Sequence, residues 1–123
     1  MQEWSIEIKE KYNKRIIEVF ANFIKVCEAH NLQYFCCGGT AIGVVRHQGM
    51  IPWDDDIDIL MPRPDYERLI ALMPTLNLPD NELIEMSTTE SYYLPFAKFC
   101  DRNSTILENK ELPCVLGAYI DIF

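Results

Sequence analysis

Gly38-Gly39-Thr40-Ala41-Ile42-Gly43-Val44-Val45-Arg46-His47-Gln48-Gly49-Met50-Ile51-Pro52-Trp53-Asp54-Asp55-Asp56-Ile57-Asp58-Ile59 is the stretch on which the fold turns. It opens on a glycine pair and closes where acids alternate with apolar side chains. Alternation with period two is strand behaviour, so Asp56 to Met61 reads as a strand that Pro62 ends. In an extended segment residues two apart share a face, about 6 to 7 Å apart along the backbone. Asp54, Asp56 and Asp58 therefore line one side. Ile57 faces the other way as a core position, and Asp55 reads as a turn or loop carboxylate.

Acid runs are usually hydrated loops. This one runs into Ile57-Asp58-Ile59-Leu60-Met61, so Asp58 sits among residues that want burial. A half-buried carboxylate needs a cation or a basic partner. Asp121 repeats the pattern inside Tyr119-Ile120-Asp121-Ile122-Phe123. Two apolar strands that each carry one acid favour a metal site over a solubility feature. Carboxylates are the ligands Mg²⁺ prefers, and the ion keeps positions open for phosphate oxygens and water.

Working outward, Tyr12, Ile16, Val19, Phe20, Phe23 and Cys27 recur at helical spacing, which predicts a long amphipathic helix from about Ile6 to His30, stopped by Asn31. Gln33 to Cys37 reads as a short buried strand. Gly38-Gly39 then turns the chain, and Thr40 is the expected N-cap of a short helix through about Arg46. Glycines let the backbone approach a phosphate, and helix N-terminal amides supply donors. His47 to Trp53 is a loop. Tyr66, Leu69, Ile70 and Met73 predict a helix from Asp65 to about Met73, followed by a turn-rich link over Pro74 to Asn81. Leu83 to Met86, Leu94 to Cys100 and Gly117 to Phe123 read as strands. The order predicts an α/β (α+β) fold, a small mixed sheet packed with helices and preceded by a long amphipathic helix.

The 123 residues suit a single domain spanning 1–123. The chain stops at Phe123 within an apolar strand, so further elements are expected beyond it. A net charge of −8 argues against nucleic acid as a partner. Cys27, Cys36, Cys37, Cys100 and Cys114 lack metal-ligand spacing and read as reduced, buried thiols of a cytoplasmic protein. Neither a signal peptide nor an apolar run of about 18 residues, as a membrane span needs, is visible.

Other residues have two readings. Arg46 forks onto a phosphate or pairs with nearby acids. Lys98, on an otherwise apolar strand, neutralises donor phosphate or snorkels to solvent. His47 reads as structural or as a hydrogen-bond donor, and Trp53 packs over the loop with Pro52 or stacks on a base or sugar.

The quoted stretch closely resembles the LicD family, which has the nucleotidyltransferase-fold pattern of apolar-Gly-Gly, a short helix, an Asp-x-Asp strand and a third acid on a neighbouring strand. That family includes bacterial phosphorylcholine transferases and is related to the fukutin-type sugar-phosphate transferases. The resemblance is dense over Tyr34 to Tyr66, looser through Ala97-Lys98-Phe99-Cys100-Asp101, and returns at Gly117 to Phe123. It covers an N-terminal part of the family's longer chains.

The resemblance implies Mg²⁺ (or Mn²⁺) held by Asp56 and Asp58, with Asp121 as third carboxylate and Asp54 as an additional acid. Asp121 would share a metal or take the acceptor proton. Gly38, Gly39 and Thr40 would contact donor phosphates, with Arg46 and Lys98 as further candidates. The implied reaction moves a phosphorylcholine-like group from a CDP-linked donor to a sugar hydroxyl of a glycan or glycolipid, as in lipopolysaccharide or teichoic acid modification, releasing CMP. Two rivals stay open: a nucleotidyltransferase that releases pyrophosphate, and a noncatalytic nucleotide- or glycan-binding fragment.

Overall fold

The structure is a computed structural model that describes residues 5–50, 56–106 and 116–123. Its first element, α1 (Ile6–His30), starts where the Ser5 hydroxyl accepts the Ile8 N–H at 3.3 Å. Glu7 adds negative charge to the first turn, where the helix dipole favours it. The helix ends where Asn31 enters the left-handed region at φ 55° and returns its N–H to the Cys27 carbonyl. Both ends match the sequence reading. Ile16, Val19, Phe23, Val26 and Cys27 form its buried stripe.

The remaining elements are β1 (Phe35–Cys36), α2 (Gly38–Ile42) with a π-helical turn at Gly43–His47, β2 (Asp58–Leu60), α3 (Arg63–Leu76), β3 (Asn81–Ile84), β4 (Ala97–Asp101) and β5 (Tyr119–Ile122). The strands form one mixed sheet in the order β1-β2-β5-β4-β3. Among the described residues only the β2–β5 pairing is parallel; the other three are antiparallel. The α/β class and the long leading helix are as expected.

Period two sorts the sheet into two faces. Ile57, Ile59, Ala97, Phe99, Ile120 and Ile122 join Phe23 and Leu69 in the main core. Phe23 meets Phe99 and Tyr34 edge-on, both at 5.6 Å between ring centroids, and burying such a ring contributes about 1.5–3 kcal/mol. The other face carries Asp58, Asp121, Lys98 and Cys100. Cys100 packs with Ile84, Tyr92 and Leu116 in a smaller cluster.

Several local expectations change. Thr40 is not an N-cap: α2 begins at Gly38, its N-cap is Cys37, and Thr40 lies inside the helix. The α3 helix starts earlier, at Arg63, and runs through Pro74 to Leu76. Pro74 removes one backbone donor near the helix end, and the Thr75 hydroxyl donates to the Leu72 carbonyl at 2.7 Å within the same final turn. The buried-thiol expectation fits Cys27 and Cys100, whereas Cys36 and Cys37 are only half-buried. Cys114 lies outside the described residues.

Gly117 fixes how β5 enters the sheet. A Cβ there would stand 1.8 Å from the Asp101 carbonyl oxygen and 3.0 Å from that of Ser104. Beside it, Asp101 N–H donates to Ala118 O at 2.7 Å, and Ala118 N–H donates to the Ser104 hydroxyl at 3.0 Å. Gly117→Ala must therefore displace backbone. The expected loss is about 3 kcal/mol in urea unfolding, the upper end of typical overpacking effects.

Candidate metal and donor site

The parallel pairing of β2 with β5 sets Asp58 opposite Asp121 and Ile59 opposite Ile122. On the far side of β5, Lys98 is opposite Asp121. One row therefore runs Asp58, Asp121, Lys98 across three adjacent strands, each about 4.8 Å from the next. Because cross-strand partners share a face, the three side chains project from the same side of the sheet.

The backbone of Asp58 is held at both polar atoms. Its N–H donates to Thr40 Oγ1 at 2.9 Å, and its carbonyl accepts the Cys37 N–H at 3.1 Å. Thr40 is buried, and its hydroxyl serves β2. The glycine turn exists partly to make this clamp. Gly38 takes φ +56°, which L side chains rarely adopt, and a Cβ on it would lie 3.8 Å from Asp58 Oδ2. The helix that follows has five residues before its π-helical turn, too short for a large macrodipole, so a phosphate approaching here would rely on local amides.

Asp121 is mostly buried, its side chain 17% exposed, and Lys98 Nζ donates to Asp121 Oδ1 at 2.6 Å. Burial pushes the Asp121 carboxyl above the usual carboxylate range, and the Lys98 hydrogen bond and charge pull the other way. Lys98 does not snorkel: it is 4% exposed. Its ammonium lies 3.7 Å from the Tyr119 ring centroid and 5.1 Å from that of Phe96. Phe96 in turn packs on Phe123 at 4.7 Å. Sequence reasoning did not select Tyr119 or Phe96, yet each stands two residues from a selected one, Asp121 or Lys98, so period two pointed to both.

The other expected residues are less gathered. Asp56 is exposed just before β2. Arg46 and His47 are exposed at the end of the π-helical turn, where Arg46 Nε donates to His47 Nε2 at 3.2 Å. Asp54, Asp55 and Trp53 lie outside the described residues. Among the described residues no three acidic, histidine or cysteine side chains close into a metal-sized cluster. The structure thus brings together two of the expected ligands, Asp58 and Asp121. Two carboxylates suit Mg²⁺, which binds through one or two of them and keeps its remaining positions for water and substrate phosphate. A cleft of about 290 Å³ between α3 and β3, lined by Ile70, Met73, Leu83 and Arg102 among others, touches neither carboxylate. No helix among the described residues is long and apolar enough to cross a membrane.

A mixed sheet with carboxylates on adjoining parallel strands, one of them clamped by a glycine turn, is the frame of a nucleotidyltransferase-type domain. Residues 31–103 match the LicD/FKTN/FKRP nucleotidyltransferase domain, and the chain belongs to that family. Over 54 residues it is 44% identical to the lipopolysaccharide cholinephosphotransferase LicD of Haemophilus influenzae, covering 44% of this chain and 20% of that protein. An uncharacterized protein of Rickettsia typhi is 33% identical over 67 residues, covering 54% of this chain and 22% of its own length. Another, from Rickettsia prowazekii, is 44% identical over 45 residues, covering 37% and 17%. The matches thus span about a fifth of these relatives.

The clamp is open to direct test. Thr40→Val keeps the shape and removes the acceptor, leaving the part-buried Asp58 N–H without its partner. The expected loss is about 1–3 kcal/mol in urea unfolding, whereas Thr40→Ser, which keeps the hydroxyl, loses less.

Proposed function

We propose that this chain supplies the metal- and donor-binding part of a LicD-type transferase. It moves a phosphorylated head group, phosphorylcholine or a close analogue, from a CDP-linked donor to a sugar hydroxyl of a cell-surface glycan such as lipopolysaccharide or teichoic acid. The observation that carries this reading is Asp58 and Asp121 in register on adjacent parallel strands. Family membership and the cholinephosphotransferase relative support the reaction class. A cytoplasmic location goes with it.

In this reaction the acceptor hydroxyl oxygen attacks the head-group phosphorus. The bond from that phosphorus to the bridging oxygen breaks, CMP leaves with the electron pair, and the hydroxyl proton passes to a base. Asp58 and Asp121 would hold Mg²⁺ or Mn²⁺, with Asp56 and Asp54 next along the chain. The ion, when bound, neutralises charge on the diphosphate and on the departing CMP. Thr40 and Cys37 keep Asp58 in place through its backbone. Gly38, without a Cβ beside Asp58, and Gly39 would contact the donor phosphate, and Arg46 stands exposed to meet a second anionic group. Positioning and charge provide most of the rate, since phosphoryl transfer asks little covalent chemistry of a protein. Lys98 donates to Asp121 Oδ1 and so orients that carboxylate.

Titration calorimetry with CDP-choline tests the reading. Binding is expected with Mg²⁺ and lost in EDTA. Asp58→Asn is expected to weaken it by more than the about 10- to 100-fold seen when a residue behind a metal ligand is removed. Unchanged binding in Asp58→Asn would sink the assignment. In turnover, pyrophosphate released from a nucleoside triphosphate, with no CMP released from CDP-choline, would point to a nucleotidyltransferase instead.

A further inference from the structure

The Lys98 ammonium occupies a place that the proposed chemistry gives to a metal ion's neighbour. It donates to Asp121 Oδ1 at 2.6 Å, its side chain is 5% exposed, and two aromatic rings flank it. An aromatic face attracts a cation, most strongly where water is excluded. Tyr119 and Phe96 therefore hold the charge on the carboxylate instead of letting it move to solvent. Phe123, tilted against Phe96 at 4.7 Å, lies behind that ring.

A divalent cation on Asp121 would stand a few ångströms from that ammonium. Like charges at such a distance repel strongly where the surroundings are poor in water. Both cations compete for the two carboxylates, Asp58 and Asp121, that the described residues bring together. An incoming diphosphate changes the balance, because its negative charge satisfies both.

We infer that Lys98 is the resident counter-cation of Asp121: it competes with divalent metal in the absence of donor and so makes metal binding depend on the arrival of a nucleoside diphosphate. This rests on the reading of Asp58 and Asp121 as metal ligands. Lys98 then acts as a positioning residue through Asp121. It holds the carboxylate aligned until metal and donor arrive together. The coupling is reciprocal, so metal raises donor affinity by the same factor that donor raises metal affinity.

The test is Mn²⁺ binding followed by the electron paramagnetic resonance signal of free Mn²⁺, first without nucleotide and then with CDP-choline. Lys98→Gln removes the charge while its amide can still donate to Asp121; Lys98→Met removes both. Each is expected to bind Mn²⁺ alone about tenfold or more tightly than the unaltered chain, because a repelling charge has gone. The gain in Mn²⁺ affinity on adding CDP-choline is expected to shrink correspondingly, whereas Lys98→Arg keeps the original pattern. If Lys98→Met does not fold, Lys98→Gln carries the test. Equal or weaker Mn²⁺ binding in Lys98→Gln overturns the inference. Asp58→Asn separates the two levels: lost Mn²⁺ binding there, with no tightening in Lys98→Gln, removes only the role of Lys98. Undiminished Mn²⁺ binding in Asp58→Asn removes the metal reading and this inference with it.

Discussion

The parallel register between β2 and β5 is the constraint on which the site depends. It is the one parallel pairing among the described residues, and it joins segments from opposite halves of the chain. Asp121 N–H donates to Ile57 O at 3.0 Å, Phe123 N–H to Ile59 O at 2.8 Å, and Met61 N–H to Phe123 O at 3.0 Å. A slip of one residue would turn Asp121 into the core and Ile122 onto the open face, since side chains alternate with period two. The apolar residues on either side of each acid prevent that slip. Ile57 and Ile59 bracket Asp58, and Ile120 and Ile122 bracket Asp121, all buried at or near zero exposure. The hydrophobic effect thus places two charges it would otherwise expel.

Other features reinforce that register from the side. Thr40 and Cys37 bind the backbone of Asp58 on its β1 flank. At the far end of β5, Gly117 lets the chain pass close to Asp101, whose carboxylate accepts the Ser104 hydroxyl at 2.7 Å. That same hydroxyl accepts the Ala118 N–H. Lys98 closes the row from β4. Removing one partner of such a buried pair is typically worth about 3–5 kcal/mol, because the other charge is left without compensation.

Much of this was legible in the residues, and the exceptions have physical causes. Helix α1 was readable to its ends because its apolar stripe is long and its caps are explicit. Asp58 and Asp121 stood out because each interrupts an apolar alternation. Thr40 was misplaced because a cap and a buried internal hydroxyl look alike until the partner strand is known. Pro74 was read as a terminator, although a proline in the last turn forfeits little. The bounds of β3 and β4 moved because pairing, with Asn81 opposite Asp101 and Ile84 opposite Lys98, decides where short strands start. The Lys98–Asp121 contact was not readable at all: it depends on long-range register, which no local pattern encodes.

The joining of Asp58 to Asp121 also links folding to ligand. Loop-closure entropy must be spent before this long-range pairing is rewarded, so the two carboxylates meet only when most of the sheet is assembled. An unfolded chain cannot present them together. Any ion or donor that bridges the two strands therefore binds the folded ensemble selectively and shifts it toward the native state in proportion to its concentration. On the proposed reading, the substrate complex acts as a cross-link between the first and second halves of the molecule, and the cellular supply of donor becomes one determinant of how long the chain stays folded.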